Sequence, residues 1–233
     1  ATFNTKKTAI IVSGENFADA VSASMLVSGP NGTDTANAHP ILLVQKDSVP
    51  VATEVQLQGL GVKQVVIIGG TSAVSAAVAT TLGAKYTVVR VSGADRFATA
   101  SAVADLAVKS VVSGGFGMSK TKVYLAEMGA ASGGADALAA GQIVNANAAV
   151  LLGTSGGALP SASSAWLTAN KTGSTGTTLN FIGGTGVIPT ATESEAKLAA
   201  GGSATAVTAT ISNLRAAQTD FYVTFSEPVT QTS

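Results

Sequence analysis

Residues 65–91 read VVIIGGTSAVSAAVATTLGAKYTVVRV. Val65–Ile68 is a four-residue apolar run closed by Gly69-Gly70. A run that short, continuous and β-branched fits a strand buried on both faces. Ser72 then opens a predicted helix to Leu82, and Thr87–Val91 is the next strand. Strand, glycine corner, helix and strand in that order make a parallel unit with a right-handed crossover.

The same grammar extends in both directions. Upstream, Thr8–Val12 is a strand closed by Ser13-Gly14, and Asn16 caps a predicted helix over Phe17–Val27. Ile41–Val44 is a second buried strand, and Ser48 and Pro50 start a helix to about Leu60. Downstream, Asp95 caps a helix to about Lys109. The expected architecture is an open, doubly wound α/β sheet. The pattern then repeats, with strands at Lys122–Ala126, Ala149–Leu152 and Thr178–Ile182 and helices near 135–146, 160–170 and 190–200. Asp19-Ala20 matches Asp136-Ala137, Pro50 matches Pro160, and Gly69-Gly70-Thr71 matches Gly183-Gly184-Thr185. The expected division is a first module at 1–88, a second at 89–202 and a tail at 203–233. In the tail, Val207, Ala209 and Ile211 alternate with polar residues, as do Phe221, Val223 and Phe225, so an antiparallel pair is expected there.

Composition narrows the function. Hydrophobic residues are 46 % and charged residues 11 %, the reverse of a disordered chain. Thirteen Lys+Arg balance 13 Asp+Glu, so there is no basic face of the kind duplex DNA requires, and nucleic acid is not an expected partner. No apolar run reaches the ~18 residues of a membrane span. Zero Cys excludes disulfides, thiol nucleophiles and Cys-bound zinc, and the single His39 excludes a multi-His metal site. No strand is followed by G-x-G-x-x-G with a distant acidic residue, and no Walker A lysine occurs, so no cofactor, no metal and no catalytic residue are expected. His39 is expected in an exposed loop, and Trp166 as a core or interface anchor. The 42 Ala and 26 Gly allow close helix–sheet approach. Low charge without Cys suits an exported bacterial surface protein. The opening Ala1-Thr-Phe-Asn-Thr reads as a processed or excised segment.

Four segments together carry a family resemblance. They are Ser13-Gly-Glu-Asn-Phe-Ala-Asp-Ala20, Pro40-Ile-Leu-Leu43, Val66-Ile-Ile-Gly-Gly-Thr-Ser-Ala-Val74 and Arg90-Val-Ser-Gly-Ala-Asp-Arg-Phe-Ala-Thr-Ala100. In this order the chain resembles the cell wall binding repeat 2 family of Gram-positive surface-layer and wall-associated proteins. The resemblance covers about residues 6–200. It implies tandem Rossmann-like α/β modules, usually three around a pseudo-threefold axis. It also implies non-enzymatic, extracellular attachment to an anionic secondary cell-wall polysaccharide. The family links the P-I-L-L segment to that attachment. The first module lacks the opening R-x-S-G-x-D-R segment, and the second departs from the motifs: Ala126–Ala137 replaces S-G-E-x-F-A-D-A and Ala149-Val-Leu-Leu152 replaces P-I-L-L. The segment Val223-Thr-Phe-Ser-Glu-Pro-Val229 resembles the opening of an Ig-like domain.

Ligands of open α/β sheets sit beyond the carboxyl ends of the strands. Ser13, Gly14, Gly69, Gly70, Ser92 and Gly93 fall there, each ahead of a helix; any one pair is explained by a tight strand-to-helix turn, and because several share one edge they are candidates for contact with a polymer anion. Arg90 and Arg96 flank the Ser92–Asp95 corner and suit bidentate contact with phosphate or carboxylate. An equally weighted reading pairs Arg96 with Asp95, or Arg90 with Asp19. Asp19 and Asp95 are included among the candidates, although helix electrostatics or module packing explains Asp19 and its counterpart Asp136 without a ligand. The alternative function is a structural subunit of a surface layer or filament, an oligomer assembling through its terminal segments.

Overall fold

The computed structural model describes residues 7–28, 38–129, 134–172 and 177–202, together with the backbone of 209–212 and 222–225. It is a mixed α/β fold with two parallel sheets. The first sheet contains β1 (Thr8–Ser13), β2 (Ile41–Val44), β3 (Gln64–Ile68) and β4 (Thr87–Val91) in the order β2-β1-β3-β4. The second contains β5 (Lys122–Glu127), β6 (Val150–Thr154) and β7 (Thr178–Ile182) in the order β6-β5-β7. All these pairings are parallel. In each sheet the first strand is central, and the chain moves to one side of it and then to the other.

Among the described residues seven helices connect the strands: α1 (Phe17–Ala23, continued by a 3-10 turn at Ser24–Leu26), α2 (Val51–Gly59), α3 (Ala76–Gly83), α4 (Arg96–Val108), α5 (Ala135–Ala146), α6 (Ser161–Asn170) and α7 (Thr190–Ala199). Asn16 caps α1 by accepting from the Ala18 N–H at 3.0 Å, and Asp95 caps α4 from Ala98 at 2.7 Å, as expected. The helix predicted from Ser72 begins later. The N–H groups of Ala73 and Val74 both turn back onto the Gly70 carbonyl, and Ser75 takes the cap position.

The central strands β1 and β3 of the first sheet are buried on both faces, which explains their unbroken apolar runs, while the flanking β2 and β4 are only partly covered. Ala9, Ile11, Val65 and Ile67 face Leu57, Val78 and Leu82. Ile10, Val12, Val66 and Ile68 face the other way, into a core that continues through Ala100, Val103 and Ala104 of α4 to Leu125, Leu151 and Val144 of the second module. Helix α4 packs on α1 and on β6 and α6, and α5 packs on the Ser24–Leu26 turn, so both helices join the two modules. Small residues make this approach close. A Cβ on Gly153 would lie 2.7 Å from the Phe97 ring, and one on Gly141 would lie 2.9 Å from Ser24 Cβ. The expected division at 88/89 cuts β4, which is hydrogen-bonded into the first sheet.

The ladders correct one equivalence. Ile11 of β1 pairs with Ile67 and Leu42, and Leu125 of β5 pairs with Phe181 and Leu152. Leu42 therefore corresponds to Leu152, and the counterpart of Leu43 is Gly153. The sequence comparison of P-I-L-L with Ala149–Leu152 is out of step by one residue. In the tail, β8 (Ala209–Ser212) and β9 (Tyr222–Phe225) pair antiparallel. The Ig-like resemblance runs to Val229, and residues 226–233 lie outside those described.

Candidate functional site

A cleft of about 500 Å³ opens at the carboxyl ends of β1, β3 and β4. It lies where the chain reverses direction across the sheet, the usual ligand position in this architecture. Six of the ten candidate residues line it: Ser13, Asp19, Gly70, Gly93, Asp95 and Arg96. Gly14, Gly69, Arg90 and Ser92 are not among its lining residues.

The Arg90–Ala100 segment is built mainly by internal contacts. Arg90 donates to the carbonyls of Gly69 at 2.7 Å and Ser75 at 3.3 Å, tying the β3 corner to the start of α3. Burial pulls its pKa below the ordinary arginine value. Gly93 has no room for a side chain, since a Cβ would lie 2.3 Å from the Ala98 carbonyl carbon. Its N–H donates to Thr99 Oγ1 at 3.1 Å. Asp95 supplies α4 with its own N-terminal anion. Arg96 donates to the Met128 carbonyl at 3.0 Å, and its guanidinium lies 5.9 Å from the Phe17 ring centre. Both arginines therefore use backbone carbonyls, in place of the Arg96–Asp95 and Arg90–Asp19 pairs expected as the alternative. Arg96 still faces the cleft; Arg90 serves the corner behind it.

Asp19 sits against that corner. Gly69 has φ +115°, and a Cβ on it would lie 2.6 Å from Asp19 Oδ2. Burial pushes the Asp19 carboxyl above its ordinary pKa, against the pull of a Thr99 hydrogen bond and the Arg96 charge. The second module repeats the arrangement. Gly183 has φ +132°, and a Cβ there would lie 3.1 Å from Asp136 Oδ2. The pairing of these aspartates with the glycine corners accounts for both landmarks of the repeat.

Glu15, Asn16, Ser72 and Thr99 also line the cleft. Glu15 and Asn16 belong to the Ser13–Ala20 segment at the first corner, where residue type alone does not distinguish a cleft-lining carboxylate from a solvated one. The cleft thus combines three carboxylates, one guanidinium, hydroxyls and an amide. Its chemistry is that of a hydrogen-bonding surface for a polar ligand. His39 is buried, contrary to expectation: its Nδ1 is 3.0 Å from the Leu26 carbonyl and its ring packs edge-on to Phe116. Trp166 is an anchor as expected, buried on α6 with its indole N–H donating to Asp105 of α4 at 2.8 Å. Among the described residues no group of three or more acidic or histidine side chains is placed to hold a metal ion, and no helix is long and apolar enough to cross a membrane.

Over 118 residues the chain is 33 % identical to N-acetylmuramoyl-L-alanine amidase LytC of Bacillus subtilis (strain 168), a match that spans 49 % of this chain and 22 % of LytC. Among solved structures it is similar to Cwp6 from Clostridium difficile at 25 % identity and a TM-score of 0.62, covering 79 % of this chain and 26 % of that one. Cwp8 from the same organism shares the fold, with 23 % identity and a TM-score of 0.59 over 83 % of this chain and 29 % of its own. The chain spans only about a quarter of the length of these relatives. The family model described as cell wall binding domain 2 matches residues 1–79 and 90–193, most of the sequence, so the chain belongs to the cell wall binding domain 2 family and its place is the cell wall or cell surface.

Proposed function

We propose that this chain attaches an extracellular protein, without catalysis, to an anionic cell-wall polysaccharide seated in the cleft of the first module. The observation that carries the proposal is the cleft itself. It lies at the switch point of a sheet from a wall-binding family, and its lining of hydroxyl, amide, carboxylate and guanidinium groups matches the hydroxyl-rich face of a sugar chain. The balance of charge in the cleft directs most of the polymer's negative groups to its rim, with Arg96 inside it. Affinity at one such site is expected to be modest. Repeated sugars on a polymer and tethered neighbouring modules raise avidity by roughly 10²–10⁴.

Attachment without catalysis is supported by the side chains available. His39 is buried against Leu26 and Phe116, away from the cleft lining. LytC is named as an amidase, but the match spans only 22 % of its length, so that activity is not carried to this chain.

The test is sedimentation of the purified chain with cell walls that retain their anionic polymer and with walls from which it has been removed. The expected result is pelleting with the first and loss of pelleting with the second. Equal pelleting with both, or with neither, rejects the proposal.

A further inference from the structure

The two modules place a carboxylate at the same strand corner by different routes. By the ladder registers, Ser13 at the end of β1 corresponds to Glu127 at the end of β5, Glu15 to Gly129, and Lys46 to Gly156. Two backbone bonds frame both corners: Gly14 donates to the Val44 carbonyl at 2.8 Å and Met128 to the Thr154 carbonyl at 3.0 Å, and Gln45 donates to Ser48 at 3.1 Å as Ser155 does to Ala158 at 3.0 Å. The corners differ at the second donor, where Gly156 has φ +56° and Lys46 does not share that left-handed conformation. In the second module, Glu127 is 4 % exposed. Its carboxylate bridges two main-chain donors, Gly129 N–H at 2.5 Å and Gly156 N–H at 2.9 Å, with the Thr154 hydroxyl at 3.4 Å. The corner is a built receptor for one carboxylate, and the chain fills it with its own.

The first module has the same two donors and lacks that filling. Ser13 is shorter than glutamate, and both Ser13 and Glu15 line the cleft. The Glu15 N–H donates to the neutral Ser13 hydroxyl at 3.1 Å. The Lys46 N–H reaches Glu15 Oε1 at 3.4 Å, a long contact with an exposed side chain. Charge-assisted bonds to a bridging anion are shorter and stronger than either partner provides. We infer that the first corner takes a carboxylate or phosphate group of the ligand between the Glu15 and Lys46 N–H groups, displacing the Glu15 side chain, at the place Glu127 fills in the second module. The inference rests on the wall-polymer reading for the origin of the anion; the subsite itself rests on the two corners.

The test is backbone-amide NMR of the full chain titrated with inorganic phosphate, with glucuronate and with glucose. The Glu15 and Lys46 amides should shift saturably with at least one anion and stay in place with glucose, while Gly129 and Gly156 stay in place throughout. A response to phosphate alone or to glucuronate alone identifies which anion the corner prefers. A second arm transplants the filled corner, Ser13→Glu with Glu15→Gly. The glycine is needed because a Cβ at Gly129 would lie 2.3 Å from Glu127 Oε1. This variant should lose the shift at position 46 and pellet with polymer-bearing walls at least about tenfold more weakly, the scale of one charge-assisted bond. Amides of Glu15 and Lys46 that do not move with either anion, or second-module amides that move equally, overturn the inference. That reading needs only the unaltered chain, so it holds even where the transplant fails to fold. Shifting amides in a chain that ignores walls would keep the subsite and remove the wall-polymer reading.

Discussion

Strands β2 and β6 are counterparts with different surroundings. Each pairs with the central strand of its sheet in the same register. All of β6 is buried beneath α4, with Phe97 pressed on Gly153. On β2 the matching residue is Leu43, which is 52 % exposed. The residue at each position follows its cover: glycine where an aromatic ring must touch the strand, leucine where the described residues leave the strand open. At this one position the second module's departure from the P-I-L-L segment fits the ring packed on it. The largest expected effect comes from exchanging these residues. Gly153→Leu places a branched side chain where a Cβ alone would lie 2.7 Å from the Phe97 ring and 2.9 Å from Met128 Sδ. Overpacking against β6 should cost about 3 kcal/mol or more. Leu43→Gly should cost less, about 1–2 kcal/mol, from strand entropy and the loss of a half-buried side chain. Urea denaturation of both variants measures this, and equal costs would remove the contrast.

Much of this frame was legible in the sequence because burial on both faces writes itself as unbroken apolar runs. Ile10, Ile11, Val66 and Ile67 are all fully buried, two facing each way. The Asn16 and Asp95 caps were legible for a similar reason, since a side chain bonding a neighbouring N–H is a local event. What lay out of reach was nonlocal. Arg90 and Arg96 present the same guanidinium whether they meet a ligand or a carbonyl, and their partners Ser75 and Met128 lie 15 and 32 residues away. Glu127 stands at the end of an apolar strand, and its partner Gly156 is 29 residues on. Only the ladder register reveals that it stands where the first module has Ser13.

The glycine corners should behave alike in the two modules, with a smaller difference of degree. Gly69→Ala and Gly183→Ala each force a side chain into a left-handed conformation, at φ +115° and +132°. That strain costs about 1–3 kcal/mol. Gly69→Ala should be the worse of the two, because its Cβ would come to 2.6 Å from the Asp19 carboxylate against 3.1 Å from Asp136. Adding Asp19→Ala to Gly69→Ala should recover the part due to contact and leave the part due to φ. Thermal melts of the four chains separate the two contributions. Full recovery would mean that the backbone is unstrained there, and no recovery would mean that the carboxylate does not press on the corner.

The smallest expected effect concerns the charge on Asp19. Burial raises its folded-state pKa above the unfolded value, and the Thr99 hydrogen bond and Arg96 charge oppose that rise without cancelling it. A carboxyl with a raised folded pKa holds its proton more tightly in the native chain. Its contribution to stability is greatest below the unfolded value near 3.8, falls as pH rises through the folded pKa, and is constant above it. Asp19→Asn keeps the shape and a partner for Thr99 and removes the titration. Relative to the wild type, the variant should therefore gain stability as the pH rises from about 4 to 7. The change should be under about 1 kcal/mol, since the group is partly open to water and screened. Urea midpoints of both chains at the two pH values measure it. A difference that stays flat, or runs the other way, would mean that the Arg96 charge outweighs burial and that Asp19 is stabilised in its ionised form.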